Sequence, residues 1–258
     1  MALLQCSFFS ESLRISASMN VILPQSCTGQ IGMGGSTSEE PPAVLYLLHG
    51  LSDDHSIWLR RTSIERYVAD YPLAVVMPAV NRSFYTDIAD AAYWTFISEE
   101  LPQLVHSFFN VSNDLKKTFV AGLSMGGYGA FKLGLTHPDR YAAVASLSGS
   151  LDIATSFAKR TEMCVFEDVF GPADQVPGSK NDLLALTKNF PISGKTKFYQ
   201  CCGTGDFLYQ ENLTFKTCAK QAGLDLTYEE HADETHNWAY WDRQIQRVLE
   251  WLPLTPST

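Results

Sequence analysis

The chain predicts an α/β fold: a mostly parallel central sheet opened by an antiparallel N-terminal hairpin, with helices on both faces and a small cap insertion. Three observations lead there. Short apolar runs alternate with helical patterns from residue 43 onward, which implies βαβ units. Apolar residues fall on every second position across 13–23, the period of a strand. Glycines flank a serine at 122–126, where an apolar run passes into a helical one. The composition permits such a fold: 258 residues, 45% hydrophobic and 18% charged, match a soluble globular chain and exclude fibrous or disordered classes. One domain spanning 1–258 is expected, since this length buries a sizeable core. A net charge of −9 with scattered Lys and Arg leaves no electrostatic footprint for nucleic acid as a partner. No apolar run approaches the ~20 residues of a spanning helix, so no membrane partner is expected.

Residues 3–9 pair with the alternating strand 13–23. Residues 25–42, rich in Gly, Ser, Thr and Pro, form a loop. The runs 43–48, 74–77, 118–123, 142–147 and 197–202 are mostly apolar and bounded by Gly, Pro or polar residues, as strands covered on both faces are. Residues 226–231 make the last strand. Helical patterns occupy 63–71, 94–109, 125–137, 209–222 and 238–252, and Pro102 should kink or restart the second. Residues 149–196 break the alternation with Gly and Pro punctuation, which places a cap or lid there. Six cysteines (Cys6, Cys27, Cys164, Cys201, Cys202, Cys218) at irregular spacing, with no C-x-x-C, read as free thiols of a reducing cytoplasm.

Gly122-Leu123-Ser124-Met125-Gly126 sits where a nucleophile elbow must sit, between a strand and a helix. A serine hydroxyl is a poor nucleophile at neutral pH, so it requires a base and a carboxylate to orient that base. His236, in the loop before the final helix, can reach back over the sheet edge; His231, at the end of the last strand, is the competitor. Asp206 follows the 197–202 strand through Gly203-Thr204-Gly205, with Asp152 as the alternative acid. The oxyanion of acyl transfer needs two donors, and the backbone N–H groups of Met125 and Leu51 are the candidates. His49 would be buried and hydrogen-bonded, holding that loop. Trp238 is the candidate substrate contact. His55, His106 and His137 show no ligand spacing, so neither a catalytic metal nor a cofactor is expected.

His49-Gly50-Leu51-Ser52-Asp53, Tyr93-Trp94-Thr95-Phe96, Gly122 to Ala130, Cys202 to Tyr209 and Thr235-His236-Asn237-Trp238, in that order, resemble the esterase D / putative esterase family, closest to bacterial tributyrin esterases and similar to some feruloyl esterases. The resemblance implies an α/β-hydrolase fold, a serine carboxylesterase of short-chain acyl esters, the Ser124, Asp206 and His236 set, oxyanion donors at Leu51 and Met125, and a homo-oligomer. A feruloyl-type enzyme would want an aromatic cleft, and the 150–196 insert contains no Trp. The rivals are a feruloyl or carbohydrate acetyl esterase, an S-formylglutathione thioesterase, acyl transfer to an alcohol, and, outside catalysis, a silent binding module.

Overall fold

A computed structural model of the chain describes residues 1–26, 29, 31, 40–159, 165–191 and 194–254. Its strands in chain order are β1 (Ala2–Ser10), β2 (Ile15–Leu23), β3 (Ala43–Leu48), β4 (Leu73–Pro78), β5 (Asp87–Ile88), β6 (Ala91–Ala92), β7 (Thr118–Leu123), β8 (Ala143–Leu147), β9 (Lys197–Gly203) and β10 (Leu226–His231). Among the described residues, eight of them form one sheet in the order β1-β2-β4-β3-β7-β8-β9-β10. β1 pairs with β2, and β2 with β4, antiparallel; every later pairing is parallel. β5 and β6 make a separate small hairpin.

The helices are α1 (Ile57–Arg61), α2 (Ile64–Tyr67), α3 (Tyr93–Thr95), α4 (Leu101–Phe108), α5 (Met125–Thr136), α6 (Ile153–Lys159), α7 (Val165–Phe170), α8 (Leu183–Lys188), α9 (Tyr209–Ala222) and α10 (Trp238–Trp251). They cover both faces because side chains alternate along the central strands. Val44, Tyr46, Val120 and Val144 face α4, α5 and α9 through Leu101, Phe131 and Phe215. Leu45, Leu47, Ala121 and Ala145 face α1, α2 and α10 through Trp58, Ile64, Tyr240 and Ile245. The apolar runs of β3 and β4 are buried along their whole length, as two covered faces require.

Several expected elements change on folding. The strand expected from residue 13 starts at Ile15, because residues 11–14 make the hairpin turn with Arg14 at φ 56°. Helix 63–71 shrinks to the single turn α2, and the short α1 precedes it. Helix 94–109 is distorted instead of stopped: a π-helical stretch, Phe96–Glu100, runs on without a break from α3 into α4, and Pro102 follows it; the Ser98 carbonyl, four residues before the proline that has no N–H to offer it, accepts from Arg140 Nη1 at 2.8 Å. The 149–196 insert carries α6, α7 and α8, and loop 25–42 lies mostly outside the described residues. Cys6, Cys201, Cys202 and Cys218 are free thiols, while Cys27 and Cys164 lie outside the described residues. No helix among the described residues is long and apolar enough to cross a membrane.

Candidate active site

Ser124 stands between the end of β7 and the first residue of α5, with φ 53° and ψ −115°. That backbone is unfavourable for a residue with a Cβ. It is held by Ser124 N–H donating to Leu147 O (2.9 Å) and by Ser124 O accepting from Tyr128 N–H (3.1 Å) and Ser150 N–H (3.2 Å). The flanking glycines are required by close approach: a Cβ on Gly122 would strike the Gly126 carbonyl group, and one on Gly126 would lie 2.5 Å from Leu48 O and 2.8 Å from His49 O. The first N–H groups of α5, Met125 among them, have no intrahelical acceptor.

The turn after β9 carries Asp206. Its N–H donates to Gly203 O (3.2 Å), while Thr204 N–H and Gly205 N–H reach across to His231 O (2.9 Å) and Glu234 O (3.0 Å). The loop after β10 is thereby fastened to this turn, and His236 comes over the sheet edge. His236 Nδ1 lies 2.9 Å from Asp206 Oδ2 and 3.1 Å from Oδ1, and Nε2 lies 3.1 Å from Ser124 Oγ. Asp206 Oδ1 also accepts from Leu208 N–H at 2.9 Å. The Asp206 side chain is inaccessible to solvent, while the imidazole is 16% exposed and lines the cavity described below. With its proton on the aspartate side, the ring presents a bare Nε2 to the serine hydroxyl.

His231 points elsewhere, its Nδ1 paired with Tyr240 Oη at 3.0 Å. Asp152 is occupied at α6, where its oxygens accept from Thr155 N–H (3.1 Å) and Thr155 Oγ–H (2.7 Å). Leu51 lies in a turn closed by Asp53 N–H donating to Gly50 O at 3.2 Å. His49 Nδ1 sits 2.7 Å from the same oxygen, and Nε2 accepts from Val80 N–H at 3.1 Å. Burial pushes the His49 pKa down to about 4, so the ring is a neutral Nδ1–H donor. In a planar trans peptide the N–H points opposite to the C=O, so holding Gly50 O aims Leu51 N–H.

A cavity of about 770 Å³ opens over Ser124 and His236. Its apolar wall comes from Leu51, Phe84, Phe166, Phe207, Trp238 and Trp241. An aromatic cleft therefore exists although the insert lacks Trp; the insert supplies Phe166 and the C-terminal helix supplies both indoles. Trp238 packs edge-on to Trp58 and Trp241 at 5.2 Å, and the Phe207 ring lies 4.4 Å from the imidazole. Phe84, Phe207 and Asp53 are cavity residues to which sequence reasoning assigns no role. Asp53 and Phe207 carried a hint, since both stand in the motifs quoted above, close to Leu51 and Asp206; Phe84 carried none.

A family model described as Esterase, putative esterase, matches residues 10–252. The chain belongs to the putative-esterase family. This esterase is 32% identical to an acetyl esterase of Caldicellulosiruptor saccharolyticus, over 98% of each chain. It is 32% identical to the fluorophosphonate-binding serine hydrolase F of Staphylococcus aureus, with a TM-score of 0.86, covering 97% of this chain and 98% of that one. An S-formylglutathione hydrolase of Staphylococcus aureus is 33% identical, with a TM-score of 0.84 and the same coverage. The esterase has the α/β-hydrolase fold, and it is a serine hydrolase of carboxylic esters.

Proposed function

We propose that this chain hydrolyses short-chain carboxylic esters through an acyl-enzyme on Ser124. The observation that carries the reading is the unbroken hydrogen-bond chain from Ser124 Oγ through His236 to Asp206 at the base of an aromatic cavity. Ser124 Oγ attacks the ester carbonyl while His236 Nε2 takes its proton; the carbonyl oxygen becomes an oxyanion that accepts from Leu51 and Met125 N–H. His236⁺ then protonates the departing alcohol. Water, deprotonated by His236, attacks the acyl-enzyme, and the acid leaves as Ser124 recovers its proton. Asp206 holds the ring and stabilises its charge throughout. Trp238 contacts the substrate, and residues 149–196 cap the site within a single domain spanning 1–258. The free thiols Cys6, Cys201, Cys202 and Cys218 fit a cytoplasmic enzyme, and the family resemblance supports a homo-oligomer.

The test is hydrolysis of p-nitrophenyl acetate, butyrate and octanoate by the protein and its Ser124→Ala variant. Loss of at least ~10³-fold in kcat with the variant is expected, together with wild-type labelling by a fluorophosphonate. Equal rates for the two proteins would sink the assignment. The likeness to an S-formylglutathione hydrolase supports a second reading, thioester cleavage by the same groups, which release of a free thiol would report.

A further inference from the structure

The cavity over Ser124 is uneven in charge. Among the described residues, its wall carries one carboxylate, Asp53, and neither Lys nor Arg. Asp53 belongs to the turn that begins at Gly50, and its carboxylate lies against that turn: a Cβ on Gly50 would sit 2.9 Å from Asp53 Oδ2. The charge thus stands beside the peptide that aims Leu51 N–H. Burial raises the Asp53 carboxyl above its ordinary range, and Asp54 adds to this; the Gly50 N–H, Arg61 and Arg60 pull the other way. Both arginines are exposed and neither lines the cavity.

The same wall holds Phe84, Phe207, Trp238 and Trp241. Aromatic faces carry negative electrostatic potential and attract cations, Trp most strongly. A carboxylate in a wall that is otherwise aromatic and without a cationic side chain favours positive charge and opposes negative charge. The net charge of −9 adds a long-range field of the same sign.

Resting on the esterase reading above, we propose that this site selects esters by charge. An ester of a quaternary-ammonium alcohol is favoured over its uncharged isostere, an ester of an anionic alcohol is disfavoured, and Asp53 sets the preference.

The experiment compares kcat/KM for the butyryl esters of choline, of its uncharged isostere neohexanol and of the anionic alcohol isethionate, using the wild type and Asp53→Asn. The expected wild-type order is cation, neutral, anion, with at least about a tenfold span at low ionic strength that contracts as salt is added. Asp53→Asn, which keeps an acceptor for the Gly50 N–H, is expected to contract the span at least about threefold, slowing the cation and speeding the anion relative to the neutral ester. Equal wild-type rates, preference for the anion, or an Asp53→Asn span equal to that of the wild type overturns the proposal. If Asp53→Asn also slows the neutral ester, the ratio of the cationic to the anionic ester decides: a contracted ratio supports the proposal and the wild-type ratio overturns it. Absence of wild-type turnover on the neutral ester, or its persistence in Ser124→Ala, overturns the esterase reading itself.

Discussion

Asp206 and Asp152 are both buried aspartates after strands of the parallel sheet, and their neighbours separate their work. Asp206 spends its oxygens on His236 and Leu208 N–H, whereas Asp152 spends its own on the first turn of α6 through Thr155. Asp206→Asn would present an amide to Nδ1 and hold the ring in the wrong tautomer. Its kcat on p-nitrophenyl butyrate is expected to fall by about 10³–10⁴ with KM little changed. Asp152→Ala is expected to keep kcat while losing about 1 kcal/mol of stability, read from a denaturant midpoint, because a helix start loses its cap. Chain order and turn context were enough to rank Asp206 first. They were not enough to exclude Asp152, because exclusion depended on where its oxygens point.

At the scale of elements, α5 links Ser124 to the insert. Lys132 lies on α5, 2% exposed. Its Nζ donates to Thr86 Oγ1 and Asn181 Oδ1 at 2.8 Å each and to Tyr85 O at 3.4 Å, and it lies 4.6 Å from the Trp94 ring centroid. Tyr128 of the same helix donates to Asn181 O at 2.9 Å. The cavity-wall segment at Phe84 and Tyr85, with φ 48° and 51°, is thereby tied to the residues before α8. Lys132→Met leaves buried acceptors unpaired and is expected to cost about 1–3 kcal/mol, measured by urea unfolding. It is also expected to lower kcat/KM through displacement of Phe84. A lysine inside an apolar helical run gave no sequence sign of this role, since its partners are distant in the chain. Elements that span little more than one repeat of their own period, α1, α2 and the β5–β6 hairpin, escape a periodicity reading or are misjudged in length for a related reason: periodicity needs several repeats.

For the whole molecule, the buried His49 couples stability to pH. Its folded-state pKa, pushed down to about 4 by burial, lies below the ordinary 6.5. Between these values the unfolded chain takes up a proton that the folded protein refuses. The stability tied to a neutral His49 is therefore fully present above pH 6.5 and is lost as pH falls toward 4, by about 3 kcal/mol. Unfolding midpoints from pH 7 to 4 should fall more steeply for the wild type than for His49→Gln; parallel curves would show that His49 does not carry the effect.

The sequence by itself determined the layered α/β architecture, the elbow at Ser124 and the order of Asp206 and His236 along the chain. Periodicity, glycine placement and strand-to-helix context are local properties, and a parallel sheet brings the ends of its strands to one edge. Tertiary structure alone decided which histidine turns inward, which aspartate is already engaged, and which side chains wall the cavity. Asp53, Phe84, Phe166 and Trp241 come from four separate segments, and their convergence follows from packing across the sheet edge, which no spacing along the chain encodes.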